Sequence, residues 1–176
     1  MICHKKKFIF VHVPRTGGTS IEYFFDKKTI NKFFAEKHSL HEQDLYDYSD
    51  YFSFSFVRNP WERMLSFYLF DKVGSAKYSL HGWLQLSKIR NRFTQSMSHY
   101  LIRDGNPRVN FIGRYENYKN DFDYICKKLN IQKYKLEVLN KTNHNYYTDY
   151  YDDKAKELVN KMFQKDIVSF NYEFGK

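Results

Sequence analysis

Apolar and polar residues are arranged in two segments that each predict a strand, a polar turn and a helix. The first, FIFVHVPRTGGTSIEYFF, covers residues 8–25, and its apolar run ends at Pro14. The second, FSFSFVRNPWERMLSFY, covers residues 52–68 and alternates Phe with Ser before the chain reaches Pro60. Runs rich in β-branched and aromatic residues are typical of strands, and proline is common at the first position of a helix. The pattern therefore predicts two strand–helix units.

The rest of the chain continues this alternation. We predict a strand at 109–113, then a helix with apolar residues at helical spacing, and a last helix at 153–164. Residues 71–104 predict mainly helix, with breaks near Gly74 and Asn91. Strands that alternate with helices indicate an α/β fold, here a three-layer sandwich around a central parallel sheet, and such sheets bind ligands at the carboxyl ends of their strands.

Length and cysteine content point to one intracellular domain. The 176 residues fit a single domain over residues 1–176. Cys3 and Cys126 do not make a disulfide framework, and Cys126 lies on an apolar helical stripe that predicts a core position. We find no run long enough for a signal peptide or a membrane span, so the sequence predicts a cytoplasmic protein.

The net charge of +9 indicates anionic partners. Nucleic acid is one such partner, but no basic stretch is interleaved with aromatic residues as in known nucleic-acid modules. We therefore do not expect nucleic acid. The alternative is that the positive charge serves a nucleotide with several phosphates and an anionic glycan.

Residues 15–20, RTGGTS, supply one cation, two glycines and three hydroxyls between the first strand and its helix. Glycines let backbone N–H groups approach an anion, and a helix N-terminus adds the positive end of its dipole. The ATP-type loop differs, because it needs Gly, four residues and then Gly-Lys-Ser/Thr, whereas Val13 stands at the first position here and Arg15 precedes the glycines. In the second unit, Arg58 and Ser66 offer another anion site. Two such sites indicate a doubly phosphorylated nucleotide.

These residues resemble the sulfotransferases that use 3′-phosphoadenosine 5′-phosphosulfate (PAPS), particularly the branch that acts on carbohydrates. In that family a P-loop-like segment of the type PKTGGTS binds the 5′ phosphosulfate, and a pattern like FVRNPxxRxxSxY binds the 3′-phosphate. The resemblance implies a 3′ site at Arg58 and Ser66, with a local Arg58–Glu62 ion pair as the alternative. Arg114 either reaches the nucleotide or pairs with Glu116. The implied 5′ site consists of Arg15, Thr16, Gly17, Gly18, Thr19 and Ser20.

A general base is needed to take the proton of an acceptor hydroxyl. The resembling carbohydrate sulfotransferases place a catalytic His between the two nucleotide motifs, often in a Lys-His pair like that at 37–38. We therefore predict His38 as the base, with His41 or Glu36 as alternatives. Arg15, which stands where the family usually has Lys, is predicted to stabilise charge on the leaving phosphate.

The resemblance implies PAPS as the donor, its desulfated form as product, and a hydroxyl or amine of a carbohydrate or glycan as acceptor. No metal is expected, because a sulfuryl group carries less charge than a phosphoryl group. The chain is shorter than is usual for sulfotransferases, so its acceptor site is either open or completed by another chain of an oligomer. Other classes left open are a P-loop kinase or NTPase and a non-catalytic nucleotide- or glycan-binding protein.

Overall fold

The computed structural model describes residues 1–25, 47–86, 95–131, 137, 139 and 145–176. Short 3-10 turns occupy Tyr115–Asn117 and Tyr147–Tyr150. The strands within the described residues are β1 (Ile2–Cys3), β2 (Phe8–Val11), β3 (Phe52–Val57), β4 (Ile102–Arg103), β5 (Asn106–Pro107) and β6 (Phe111–Arg114). The α-helices there are α1 (Gly18–Phe25), α2 (Pro60–Phe70), α3 (Lys72–Lys77), α4 (Leu80–Gln85), α5 (Met97–Leu101), α6 (Tyr118–Lys128), α7 (Asp153–Met162) and α8 (Gln164–Phe170).

The central sheet has the strand order β1-β2-β3-β6. β2 pairs with β3, and β3 with β6, in parallel, so that Val11 lies opposite Ser55 and Val57 opposite Arg114. The carboxyl ends of these three strands therefore lie at one edge of the sheet. β1 adds an antiparallel edge that the sequence pattern did not predict. This sheet with its helices confirms the predicted α/β class.

Aromatic residues fill the core on one face of this sheet. Ile21 of α1 and Phe122 and Ile125 of α6 pack there against the strands. Cys126 is 1% exposed in the same cluster, and burial, with a smaller effect of Asp123, raises the pKa of its thiol to about 11. The buried cluster consists of Phe8, Phe10, Ile21, Phe54, Phe56, Phe122, Ile125, Cys126 and Leu129.

The opposite face of the strands carries small hydroxyl residues. Ser53 and Ser55 alternate with the phenylalanines of β3 and are both buried. The Ser55 hydroxyl donates to the Val11 carbonyl at 2.7 Å, and the Ser53 hydroxyl donates to the Asn110 side chain at 2.8 Å. Because Ile9 on this face is buried as well, the sheet is covered on both faces, as a three-layer sandwich requires.

The chain divides into two compact units, residues 1–57 with 100–140 and residues 58–99 with 141–176. The sheet and the phenylalanine core belong to the first unit. The second unit is helical, and its buried core consists of Trp61, Met64, Leu65, Phe67, Leu80, Trp83, Leu84, Ala155, Val159 and Phe163. The single domain expected over residues 1–176 stays a prediction.

Some boundaries differ from the predicted ones. Residues 71–104 are mainly helical where the structure describes them, as predicted, but the helix is divided into the short helices α3, α4 and α5 and is followed by the β4–β5 hairpin. The break predicted near Gly74 lies at Asp71, which ends α2 and caps α3; Gly74 itself is buried inside α3, where its N–H donates to the Asp71 carboxylate at 3.0 Å. Asn91 lies outside the described residues. The predicted last helix ends at Met162, and a further helix, α8, follows it.

Candidate active site

Along the glycine-rich loop between β2 and α1, residues with a positive φ alternate with residues outside the left-handed region. Arg15 has a φ of 65° and Gly17 a φ of 87°, whereas Thr16 and Gly18 stay outside the left-handed region. Successive residues of opposite hand direct their N–H groups to one side and form a concave nest that suits an anion. The nest continues into the N-terminus of α1, whose dipole adds positive potential. This backbone can therefore accept a phosphate or sulfate group.

The loop is held in this form by hydrogen bonds on both sides. Arg15 is not a glycine, and its left-handed conformation costs on the order of 1–3 kcal/mol. The Thr16 hydroxyl closes the turn by donating to the Val13 carbonyl at 2.8 Å. From α6, the Tyr118 hydroxyl donates to the Gly17 carbonyl, also at 2.8 Å. These contacts oppose relaxation of the strained turn.

Both glycines of the loop are also required by packing. A Cβ atom at Gly17 would lie 2.9 Å from Cε2 of Tyr118, and one at Gly18 would lie 2.2 Å from Cδ2 of His12. Contacts below about 3 Å force a neighbouring group to move. The two aromatic rings therefore lie directly against the loop backbone, where a larger residue does not fit.

The side chains of the predicted 5′ site divide into an inner and an outer set. Thr16 and Ser20 are buried, and the Ser20 hydroxyl accepts a hydrogen bond from the N–H of Leu139 at 2.9 Å. Arg15 and Thr19 are half-buried and lie on the more exposed side of the loop. Of the polar side chains in this segment, the cation and the Thr19 hydroxyl are thus the more accessible ones.

The Tyr118 hydroxyl is a stable donor. Burial, followed by the influence of Tyr115, raises the pKa of Tyr118 well above its ordinary value. The phenol therefore stays protonated at every pH at which the protein is handled, and its hydrogen bond to Gly17 does not titrate.

The second predicted motif begins directly after β3. Arg58 is 5% exposed, and its Nη2 atom lies 3.2 Å from Oε1 of Glu62. The local ion pair considered from the sequence is therefore present. Asn59 caps α2 by accepting two backbone N–H groups of its first turn. Ser66 lies buried farther along the same helix.

A second arginine of this motif is a core residue. Arg63 has no exposed surface, and its Nη1 atom donates to the Gln95 carbonyl at 3.1 Å. Its guanidinium carbon lies 5.5 Å from the ring centre of Phe67 and 5.9 Å from that of Phe163. These cation–π distances and the hydrogen bond assign Arg63 to the packing of the helical unit.

Arg114 ends β6 as the register partner of Val57, the residue before Arg58 in the chain. Its backbone N–H donates to Oδ2 of Asp121 at 2.6 Å, which fixes the turn from β6 towards α6. Its side chain is half-buried. The role of Arg114 at the nucleotide stays a prediction.

The predicted base lies in a part of the chain that the structure leaves undescribed. His38, His41 and Glu36 all fall outside the described residues. Among the described residues, no three His, Cys, Asp or Glu side chains group as metal ligands do. Within those same ranges, no helix is long and apolar enough to cross a membrane.

Sequence reasoning missed the residues that hold the loop from outside it. Tyr118 is separated from Gly17 by 101 residues, and no local pattern connects them. The buried contact between His12 and Glu22 was not predicted either. The only local signal is that Glu22 lies one helical turn after Gly18 and so returns to the same side of α1.

The fold and this loop define an α/β protein with a glycine-rich turn between a parallel strand and a helix. Comparison with known families gives the class: the sulfotransferase family model matches residues 1–173, so the chain belongs to the sulfotransferase family. Sulfuryl transfer is therefore its class of reaction. An uncharacterized protein of Archaeoglobus fulgidus is similar to it, with 28% identity over 91 residues that cover 48% of this chain and 72% of that protein. No solved structure matches the chain.

Proposed function

We propose that this protein transfers the sulfuryl group of PAPS to a hydroxyl, or an amine, of a carbohydrate or glycan. The observation that carries the proposal is the alternating backbone of Arg15–Gly18, which forms an anion nest at the start of a helix. Family membership supplies the reaction class, and the nest supplies a place for the donor's anionic group.

In this proposal the loop binds the 5′ phosphosulfate. Backbone N–H groups of Gly17, Gly18 and Thr19 and the hydroxyls of Thr19 and Ser20 form its shell, and the half-buried Arg15 supplies the cation. Contrary to the sequence-based expectation, the only proton of the Thr16 hydroxyl is donated to Val13, so Thr16 holds the turn rather than the anion. Charge develops on the 5′-phosphate as its bond to sulfur breaks, and a fixed cation and N–H groups stabilise that charge. When bound, PAPS supplies an activated sulfuryl group with a nucleotide leaving group.

Arg58 and Ser66 are the proposed ligands of the 3′-phosphate. Arg58 is almost fully buried, so a charge-assisted bond to phosphate is strong there. Its contact with Glu62 orients the guanidinium, and in this proposal the guanidinium fork binds the phosphate. Arg114 is a further candidate for the nucleotide.

His38 is the proposed general base, on the sequence argument alone, with His41 or Glu36 as the alternatives. The base takes the proton of the acceptor hydroxyl while a new bond forms between the acceptor oxygen and sulfur, and the bond between sulfur and the phosphate oxygen breaks. A glycan acceptor is consistent with the net charge of +9 if that glycan is anionic.

Two variants test the proposal. Arg58→Ala should weaken binding of adenosine 3′,5′-bisphosphate (PAP) at least ~30-fold in calorimetric titration, because a buried charge-assisted contact is lost. Arg103→Ala, on the exposed hairpin, is the matched control for loss of one cation.

His38→Ala should keep PAP binding but slow transfer from radiolabelled PAPS to a panel of glycans by about a hundredfold. Unchanged PAP affinity in Arg58→Ala, or unchanged transfer in His38→Ala, would contradict the respective assignment.

A further inference from the structure

A buried ionisable pair lies at the base of the glycine-rich loop. Nδ1 of His12 lies 2.9 Å from Oε1 of Glu22, and these residues are 5% and 3% exposed. With Glu22 ionised, its carboxylate only accepts hydrogen bonds, so Nδ1 of the imidazole carries the proton and donates it to Glu22. The contact is therefore directional.

The imidazole ring is packed against the first residue of α1. A Cβ atom at Gly18 would lie 2.2 Å from Cδ2 and 2.4 Å from Nε2 of His12. On another side, the ring stacks on Phe10, with 5.6 Å between ring centres and 26° between ring planes. The hydrogen bond to Glu22 and these two contacts fix the orientation of the ring.

The pair spans the two ends of the loop. His12 directly follows β2, and Glu22 lies one turn into α1 after Gly18. Their hydrogen bond therefore joins the strand exit to the helix entry. Between them Arg15 holds a left-handed conformation, which persists only when the surrounding structure enforces it.

Stability alone does not explain this pair. A buried His–carboxylate pair contributes little more than well-packed apolar residues of similar volume, because both groups lose their hydration. What a directional bond adds is a fixed geometry. At this position, the geometry that it fixes is the angle at which the nest meets the N-terminus of α1.

We propose that His12 and Glu22 form a positioning pair that holds the loop in its anion-accepting conformation. The inference rests on the proposed function, because the anion is taken to be the phosphosulfate end of PAPS. Neither residue needs to touch the nucleotide; each acts through the backbone of Gly18 and its neighbours. The pair thereby determines how tightly the loop binds the sulfuryl donor.

The test is calorimetric titration of PAP into paired variants, with urea unfolding of each. Glu22→Gln keeps an acceptor for the imidazole and should raise the Kd about threefold, whereas Glu22→Ala should raise it at least ~10-fold. His12→Asn keeps a donor near the position of Nδ1, whereas His12→Phe keeps the ring volume without a donor. Glu157→Gln, in an exposed ion pair of α7, is the control for loss of one carboxylate.

A positioning role and a packing role of the pair predict opposite orders of PAP affinity for the two His12 variants. A positioning role predicts tighter PAP binding by His12→Asn than by His12→Phe, even where the Phe variant is the more stable in urea; a packing role predicts the reverse. Should Glu22→Ala lose cooperative unfolding, Glu22→Gln and the two His12 variants carry the test. Wild-type affinity in Glu22→Ala, or equal affinity in both His12 variants, overturns this inference alone. A wild-type protein that binds no PAP overturns the proposed function as well.

Discussion

The Tyr118 hydroxyl donates a hydrogen bond of 2.8 Å to the carbonyl of Gly17, a residue 101 positions away in the chain. The same phenol ring occupies the space that a side chain at Gly17 would need. The conformation of the predicted phosphosulfate loop therefore depends on α6 as well as on the loop's own glycines. Substitutions that remove or add a single group test this dependence.

Tyr118→Phe removes the hydroxyl and keeps the ring. We expect the free energy of unfolding to fall by about 1 kcal/mol, the usual net value of one hydrogen bond, and PAP affinity to fall about fivefold because the loop is less fixed. Urea unfolding and calorimetric titration measure the two effects. Tyr124→Phe, at a position 41% exposed on the same helix, is the control. PAP binding as tight as that of the wild type would show that the Tyr118 bond does not organise the loop.

Gly18→Ala places a methyl group 2.2 Å from the His12 ring. We expect a loss of about 1–3 kcal/mol in the free energy of unfolding, because the imidazole and its partner Glu22 must move. Gly82→Ala is the matched control, since the nearest atom to its new Cβ is 3.5 Å away and alanine favours the helix by up to about 1 kcal/mol. Equal stability of Gly18→Ala and the wild type in urea would be incompatible with this packing.

Arg15 combines a strained backbone with the proposed catalytic cation, and two variants separate these properties. Arg15→Gly relieves the left-handed strain, so we expect stability to be unchanged or higher by up to about 1 kcal/mol, while PAP affinity falls at least ~10-fold. Arg15→Lys keeps the charge and should bind PAP within about threefold of the wild type. The proposal for Arg15 fails if the Gly variant binds PAP as the wild type does.

Asp71 gives the helical unit a dependence on pH. Its carboxylate accepts from Nε1 of Trp83 at 3.0 Å and from the N–H of Gly74 at 3.0 Å, and these bonds, that of Trp83 first, lower the pKa of Asp71. A lowered folded-state pKa means that the stabilisation is complete above the ordinary carboxyl pKa of about 4 and is lost as the pH falls through the folded value.

The stability difference between the wild type and Asp71→Asn should therefore shrink as the pH is lowered from about 6 to about 3. Urea unfolding at several pH values measures it. Asp104→Asn, whose side chain is 92% exposed, controls for the loss of one surface carboxylate. A difference that grows towards acid would contradict the assigned direction.

The sequence pattern predicted those strands and helices that are long enough to show a periodicity of their own. The alternation of Phe and Ser in β3 identified the strand and its two faces, and both faces are buried as expected. β1 has only two residues, too few to show a period, and it forms because Phe8 and Ile9 offer it a free edge. The helix after Met162 was missed because its boundary is a single turn at Phe163 rather than a proline or glycine.

The residues of the glycine-rich loop could be identified from the sequence, but the contacts that support the loop could not. The glycines and Arg15 could be found from composition and spacing, whereas the contacts of Tyr118 and His12 with them depend on how distant elements pack. The structure also gives Thr16 a role that its position alone did not indicate, since its buried hydroxyl closes the turn. Side-chain chemistry is thus visible in sequence, and the contacts that orient it are not.

Calorimetric titration of the wild-type protein with PAP, beside ATP with Mg²⁺, shows which nucleotide the loop is built to bind. We expect tight binding of PAP and weak binding of Mg-ATP, because the loop lacks the first glycine of an ATP-type loop and Arg15 precedes its glycine pair. Preference for Mg-ATP, or binding of neither nucleotide, would contradict the assignment of the loop to a PAPS-dependent sulfotransferase.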